Sequence, residues 1–230
     1  MGLESAYMPW LNEGRQQWTV LSSYWRRPNH EGASGLQTDP QDTLIGRVIR
    51  SGQAWESWLT PYFQAYCDPT KASLDIGANI GAHATTMAAL SSVVHAFEPQ
   101  RATWQILTAN AAGLPIVTHN LGLSDRNGTV RMKVPTGNTG MTEIDVHGTG
   151  EVIEVRRLDD LGIDAPIGLM KIDVEKHERE CLAGALMTIA RDRPVIILED
   201  QVNAREALVP LGYRFHRISI ADYLCLPVAQ

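Results

Sequence analysis

The decapeptide KIDVEKHERE, Lys171 to Glu180, packs four acids, three bases and a histidine into ten positions. Carboxylates at this density can take a proton from a substrate, hold a divalent ion, or simply favour the positive end of a helix. The residues leading into it, GLMKIDV, form an apolar run of strand length, so Lys171, Asp173 and Glu175 fall on one face and emerge at its carboxyl end. Ligands of doubly wound folds bind at that end of the strands. Asp173 and Glu175 are therefore the candidates for positioning an acceptor or removing its proton. For Glu175 the helix-start reading stands level with this one, and for Glu178 and Glu180 the helix start is the better account. His177 and Cys181 share a helix face at i,i+4, but with no second ligand pair they are expected as a surface histidine and a packed thiol. Glu199 and Asp200 end the following strand and could add carboxylates to the same pocket; a divalent ion on Asp173 and Glu199 is a minor alternative.

A second constellation precedes this one. LDIGANIG places Gly77 and Gly81 directly after a strand and at the start of a helix, where glycine lets the chain turn sharply and the helix N-terminus offers free N–H donors. Asn79 and Ala82 stand where a nicotinamide fingerprint needs its second and third glycines, and no G-x-x-x-x-G-K-[ST] occurs, so neither a dehydrogenase loop nor a P-loop is present. The next strand ends in HAFEPQ, with Glu98 twenty-one positions after Gly77. An acid there lies beside the glycine loop and can accept both hydroxyls of a ribose. Asp75, two residues before Gly77, suits a ligand with an ammonium group and would sit badly against a pyrophosphate. S-adenosylmethionine carries an ammonium, a ribose and a sulfonium.

Positioning these groups requires parallel strands joined by helices, and from Ala72 the sequence has that pattern. ASLDI, SVVHAF, PIVTHN, IGLMKIDV and PVIILED read as strands. GAHATTMAAL, QRATWQILTANAA, ERECLAGALMTIA and NAREALVPL read as helices. YRFHRIS and DYLCLP read as a closing pair at an edge, for seven strands in all, and a β-rich stretch from Thr129 to Val155 carries Gly137, Gly140, Gly148 and Gly150. The expected architecture is an α/β, Rossmann-like, seven-stranded mostly parallel sheet with helices on both faces and an N-terminal helical extension. Residues 1–70 form that extension or lid, with a loop over Arg27–Asp42, and residues 71–230 form the cofactor-binding domain. Five of six tryptophans, Trp10, Trp18, Trp25, Trp55 and Trp58, lie in the extension, where they pack it onto the sheet or cover the acceptor site. His83, on the first turn after the glycine loop, either touches the cofactor or is exposed; His95, inside a strand, is expected to be structural.

Composition narrows the partners. A net charge of −6 argues against nucleic acid, which needs clustered Lys and Arg. Cys67, Cys181 and Cys225 are odd in number and lack CxxC spacing, which fits a reduced compartment. With no apolar run of signal-peptide or bilayer length, the chain is expected to be cytoplasmic, without a membrane span.

Taken together, SLDIGANIG, HAFEPQ, Asn110 in LTAN, LGLSDRNG, VRRLDDLGI, MKIDVEKHERECLAGA, RPVIILED and LGYRF resemble the FkbM-type S-adenosylmethionine-dependent methyltransferases, over roughly Asp42 to Tyr213. The resemblance implies a class I methyltransferase fold and S-adenosyl-L-methionine as cofactor. It further implies that Asp75, Gly77, Ala78, Asn79 and Gly81 contact the methionine part, that Glu98 with Pro99 takes the ribose, and that Leu123, Ser124 and Asp125, read as the end of the third strand, lie at the adenine. The activity it implies is O-methylation of a hydroxyl on a small-molecule or saccharide acceptor, such as a polyketide, sugar or glycan. One departure stands out: the family pattern D-V-E-G-x-E has glycine where this chain has Lys176. That substitution leaves open a non-catalytic protein that binds the cofactor alone; a nucleotide-cofactor oxidoreductase is the other alternative.

Overall fold

The computed structural model describes residues 35–133, 143–144, 148 and 150–228. Gly137, Gly140, Trp10, Trp18, Trp25 and the first 34 residues lie outside these, so the expected helical extension is described only from Gly35 onward. That part has α1 (Ile45–Arg50), a 3₁₀ turn (Ser57–Leu59) and α2 (Thr60–Tyr66). Arg50 ties its loop together by donating to Thr38 Oγ1, Asp39 O and Asp42 O.

From Ala72 onward strands and helices alternate as expected. β1 (Ala72–Ile76) is buried at every position, as a central strand covered on both faces must be. α3 (Ala82–Ala88), β2 (Val93–Phe97), α4 (Arg101–Asn110) and β3 (Ile116–His119) follow, and then the short β4 (Gly122–Leu123), β5 (Gly128–Lys133), β6 (Glu143–Ile144) and β7 (Glu151–Arg156). β8 (Ile167–Ile172), α5 (Glu178–Ala183), α6 (Leu186–Asp192), β9 (Val195–Glu199), β10 (Tyr213–Arg217) and β11 (Asp222–Pro227) complete the fold. The main sheet has seven strands in the order β10-β11-β9-β8-β1-β2-β3. Only β11 runs antiparallel to its neighbours, because it returns between β9 and β10. β4, β7, β5 and β6 form a separate four-stranded sheet from the stretch read only as β-rich.

Strand alternation divides the core. Leu74, Ile76, Met170 and Ile172 face α5 and α6, with Cys181, Leu182 and Ile189, while Ala96, Leu169 and Ile197 pack with Phe63 and Met87 from α2 and α3. Register pairs Asp75 with Lys171, so an acid and a base occupy core positions on the α2–α3 face. No helix among the described residues is long and apolar enough to cross a membrane.

Two expected elements differ. ERECLAGALMTIA reads as one helix, yet the chain breaks at Gly184, where a Cβ would lie 1.9 Å from the Ser124 carbonyl oxygen. α6 restarts under a distant cap: the Asp159 carboxylate accepts from the amides of Met187 (3.1 Å) and Thr188 (2.8 Å). NAREALVPL forms only a 3₁₀ segment, Ala204–Leu208.

Candidate functional site

The glycine loop crosses the carboxyl ends of β1 and β8 at van der Waals contact. Gly77 has φ +82°, and a Cβ there would sit 1.7 Å from the Asp173 carbonyl oxygen. Only glycine fits both demands. The amides of Gly77 and Ala78 donate to Phe97 O at 3.1 and 2.9 Å, which fastens the loop to the end of β2. Asn79 is itself left-handed (φ 49°), and its side chain accepts from the Ile80 amide at 2.8 Å. Asn110 Nδ2 donates to Ile80 O from α4. Gly81, also left-handed, packs on Leu107 and starts α3.

Glu98 is 7% exposed and held by two backbone donors, the amides of Asn79 (3.1 Å) and Gln100 (2.8 Å). Burial nevertheless raises its pKa to about 7, against the lowering effect of those amides. Asn120 fixes the turn beneath it by donating to Glu98 O and Pro99 O. Asp75 is fully buried, and neither carboxylate oxygen has a hydrogen-bond partner among the described residues. Burial pushes its pKa up while the charges of Lys171 and His83 pull the other way.

At the end of β8, Lys171 Nζ donates to Asp173 Oδ2 at 3.0 Å. Burial opposes the ammonium charge, but Asp173, Asp75 and Glu56 outweigh it and hold the lysine above its ordinary range. Asp173 answers in the opposite sense: burial raises its pKa, Lys171 and a hydrogen bond from Glu199 lower it further, and the net is a depressed value. Burial and the neighbouring Asp173 push Glu199 well up. The two carboxylates titrate as a pair, with the Lys171 ammonium favouring the charge on Asp173. Carboxylate oxygens of Asp173, Glu175 and Glu199 lie within 4.8 Å of one another. Such a set is wide enough for an oxygen-ligated cation, although Lys171 already neutralises part of its charge.

One cleft collects most of the expected site residues. Gly77, Ala78, Asn79, Glu98, Pro99, Leu123, Asp173, Glu175 and Glu199 all line it. Asp75 and Gly81 lie behind the loop instead of on the cleft surface. Leu123, Ser124 and Asp125 do not end the third strand as read from the sequence. β3 ends at His119, Asn120 turns the chain, and Gly122–Leu123 joins the second sheet. Ser124 is buried, bonded through Oγ to His177 Nε2 at 3.0 Å, and Asp125 pairs with Arg126, so neither lines the cleft. Asp200 is also corrected. Its carboxylate turns away to accept from the Ala204 amide and from Arg205, capping the 3₁₀ segment. Glu178 is an acid of the first turn of α5, as expected, and it is fully buried. His95 is structural as expected, sharing a 3.0 Å hydrogen bond with His119. Of the two readings of His83, exposure is excluded: it is buried and meets Glu56 Oε2 at 3.0 Å.

Several lining groups carry no sequence signal. Met132, Ile153 and Val155 reach in from the second sheet, and Leu44, Ile45, Trp55 and Glu56 from the N-terminal segment. Nothing in a periodic apolar pattern marks which strand of a small sheet will overhang a neighbouring cleft. Trp55 serves the cleft, while Trp58 packs against the α2–α3 core.

Sheet order, a single antiparallel strand beside the edge and a glycine loop facing an acid at the end of β2 define a Rossmann-like methyltransferase fold. The family model described as the methyltransferase FkbM domain matches residues 75–218, and this chain belongs to that family, whose cofactor is S-adenosylmethionine. No curated protein matches the chain in sequence. Among solved structures it is similar to the FkbM methyltransferase of Methylobacillus flagellatus KT, at 17% identity and a TM-score of 0.50 over 91% of this chain and 57% of that one. The chain thus spans little more than half the length of that protein. It is also similar to magnesium protoporphyrin IX methyltransferase from Synechocystis PCC 6803, solved with bound SAM, at 13% identity and a TM-score of 0.48, covering 93% and 97% of the two chains. An rRNA methylase from Streptococcus thermophilus matches at 12% identity and a TM-score of 0.45, covering 73% and 92%. The residues fit the family's cofactor: a loop that lines the cleft and closes on the Asp173 carbonyl so tightly that Gly77 admits no Cβ, an acid at the end of β2, and at Asp75 a buried carboxylate without a hydrogen-bond partner among the described residues.

Proposed function

We propose that the chain is an S-adenosylmethionine-dependent O-methyltransferase acting on a hydroxyl of a small molecule or saccharide. In this reading the cleft holds the cofactor between the glycine loop and Glu98, with the ribose diol donating to the Glu98 carboxylate. The bound cofactor supplies an electrophilic methyl group on a sulfonium. Asp75 provides negative charge beneath the loop on the side of the ligand's ammonium. Asp173 and Glu175 would orient the acceptor hydroxyl in line with the methyl and take its proton. The observation that carries the acceptor side is the convergence of Asp173, Glu175 and Glu199 within 4.8 Å at the strand ends facing the glycine loop. Lys171 keeps Asp173 ionised, which suits it to accept a hydrogen bond from the acceptor hydroxyl and so to orient it. Trp55 and Glu56 support the reading of the N-terminal segment as a partial cover for the acceptor side.

A screen of sugars, polyketides and other hydroxylated compounds for release of S-adenosylhomocysteine tests this, with the methylated atom identified by NMR. Asp173→Ala should slow turnover far more than it weakens cofactor binding. Methylation of nitrogen would overturn the O-methyl assignment. Cofactor binding without turnover on any acceptor would favour the non-catalytic reading that Lys176 leaves open.

A further inference from the structure

Glu178 is a buried acid that the reaction as drawn does not use. It is fully buried, its Oε1 accepts from the Lys176 amide at 2.8 Å, and its Oε2 has no hydrogen-bond partner among the described residues. Leaving a carboxylate oxygen buried and unpaired costs about 1–3 kcal/mol, and packing alone gives no reason to bear it. The backbone just before it supplies one. Glu175 has φ 49° and Lys176 has φ 70°, two consecutive non-glycine residues in the left-handed region. Each costs of order 1–3 kcal/mol and persists only where surrounding contacts dictate it. The loop they form connects Asp173, whose carbonyl abuts Gly77, to His177, which bonds Ser124. Val174, Glu175 and His177 all line the cleft.

We propose that Glu178 is a positioning residue that holds the β8–α5 loop in its left-handed form and so shapes the cleft wall against the glycine loop. The family pattern D-V-E-G-x-E sets the same acid two residues after a glycine; in this chain the acid follows Lys176, whose left-handed form carries a strain that glycine would not. Without that acceptor, relaxation of the loop is favoured by the released strain, and the binding-competent fraction of the cleft falls. A strain release of about 1.4 kcal/mol corresponds to a tenfold loss of apparent affinity. The inference rests on the reading that this cleft holds the cofactor.

Titration calorimetry with S-adenosylhomocysteine tests it on the full chain. Glu178→Gln keeps a carbonyl acceptor and should bind within about twofold of wild type, whereas Glu178→Ala should bind about tenfold more weakly. Adding Lys176→Gly to Glu178→Ala should restore binding to within about twofold, since glycine holds the left-handed form unaided. A purely packing role for Glu178 would leave the glycine change without effect, and that result overturns the proposal. So does unchanged affinity in a folded Glu178→Ala. Should Glu178→Ala not fold, Glu178→Asp, one methylene too short to reach the Lys176 amide, must show the same weakening and the same rescue; wild-type affinity there also overturns it. Glu98→Ala separates the two readings. If it leaves affinity unchanged, the cleft assignment fails; if it weakens binding while the Glu178 variants do not, only the positioning role fails.

Discussion

Glu98 ties cofactor binding to pH in a direction that can be worked out. Its carboxyl is raised from an ordinary 4.5 to about 7, chiefly by burial, while the amides of Gln100 and Asn79 limit the rise. A ribose diol donates two hydrogen bonds and so prefers the ionised carboxylate. Near pH 6 about one Glu98 in ten is ionised, so the apparent affinity for S-adenosylhomocysteine should be roughly tenfold lower than above pH 8. Folding runs the other way. Between 4.5 and about 7 the folded chain holds a proton on Glu98 that the unfolded chain has lost, so the free protein loses stability as pH rises through that window. At about 1.4 kcal/mol per pH unit this single group accounts for about 3 kcal/mol. Glu178, also raised to about 7 by burial, adds in the same sense.

Two measurements follow from one sample series. Calorimetry with S-adenosylhomocysteine from about pH 5.5 to 8.5 should give affinity rising with pH, and thermal unfolding of the free protein should give a melting temperature falling over the same range. The stabilisation by ligand must therefore grow with pH. Glu98→Gln, neutral throughout, should flatten the affinity profile, and any slope it retains belongs to other groups. A flat wild-type profile, or an identical slope in Glu98→Gln, would refute the assignment of Glu98 to the ribose.

Three further perturbations have defined outcomes. Gly77→Ala puts a methyl 1.7 Å from the Asp173 carbonyl at a left-handed position; it should cost about 3 kcal/mol or more in denaturant unfolding and abolish S-adenosylhomocysteine binding. Asp159→Ala removes the remote cap of α6 and should cost about 0.5–2 kcal/mol of stability with no change in ligand affinity, which separates helix capping from the site. Chelation with EDTA should leave turnover unchanged, because Lys171 already neutralises Asp173; a loss of turnover restored by a divalent cation would instead assign the Asp173, Glu175 and Glu199 cluster to a metal.

Legibility in the sequence followed the range of the interactions. The seven strands, the glycine loop and Glu98 are set by local pattern and by spacing within one βα unit, and these the sequence carries openly. The break at Gly184 depends on Asp159 and on the Ser124 carbonyl, both distant in sequence, so an unbroken apolar period gave no sign of it. The end of the third strand was misplaced for a topological reason: the chain turns at Asn120 and Gly122–Leu123 join the second sheet. Asp200 failed because adjacent strand residues alternate: with Glu199 in the cleft, its neighbour must face the other way.

The acids of the strand ends also argue that charge count says little about role until partners are known. Glu178 and Glu98 are buried and Asp173 and Glu199 half-buried, yet a lysine depresses Asp173, the neighbouring Asp173 pushes Glu199 up and paired amides restrain Glu98. Asp75 has no hydrogen-bond partner among the described residues and lies under the loop that the ligand would cross. Burial raises the pKa of Asp75 in spite of the charges of Lys171 and His83, so the carboxylate destabilises the free protein, and a ligand bringing an ammonium near it relieves that cost only when bound. The same residues that weaken the empty fold are thus the ones that make it selective for a cation-bearing nucleoside. Asp75→Asn should accordingly raise the melting temperature of the free protein while weakening S-adenosylhomocysteine binding. A variant that lost stability and kept its affinity would contradict this trade.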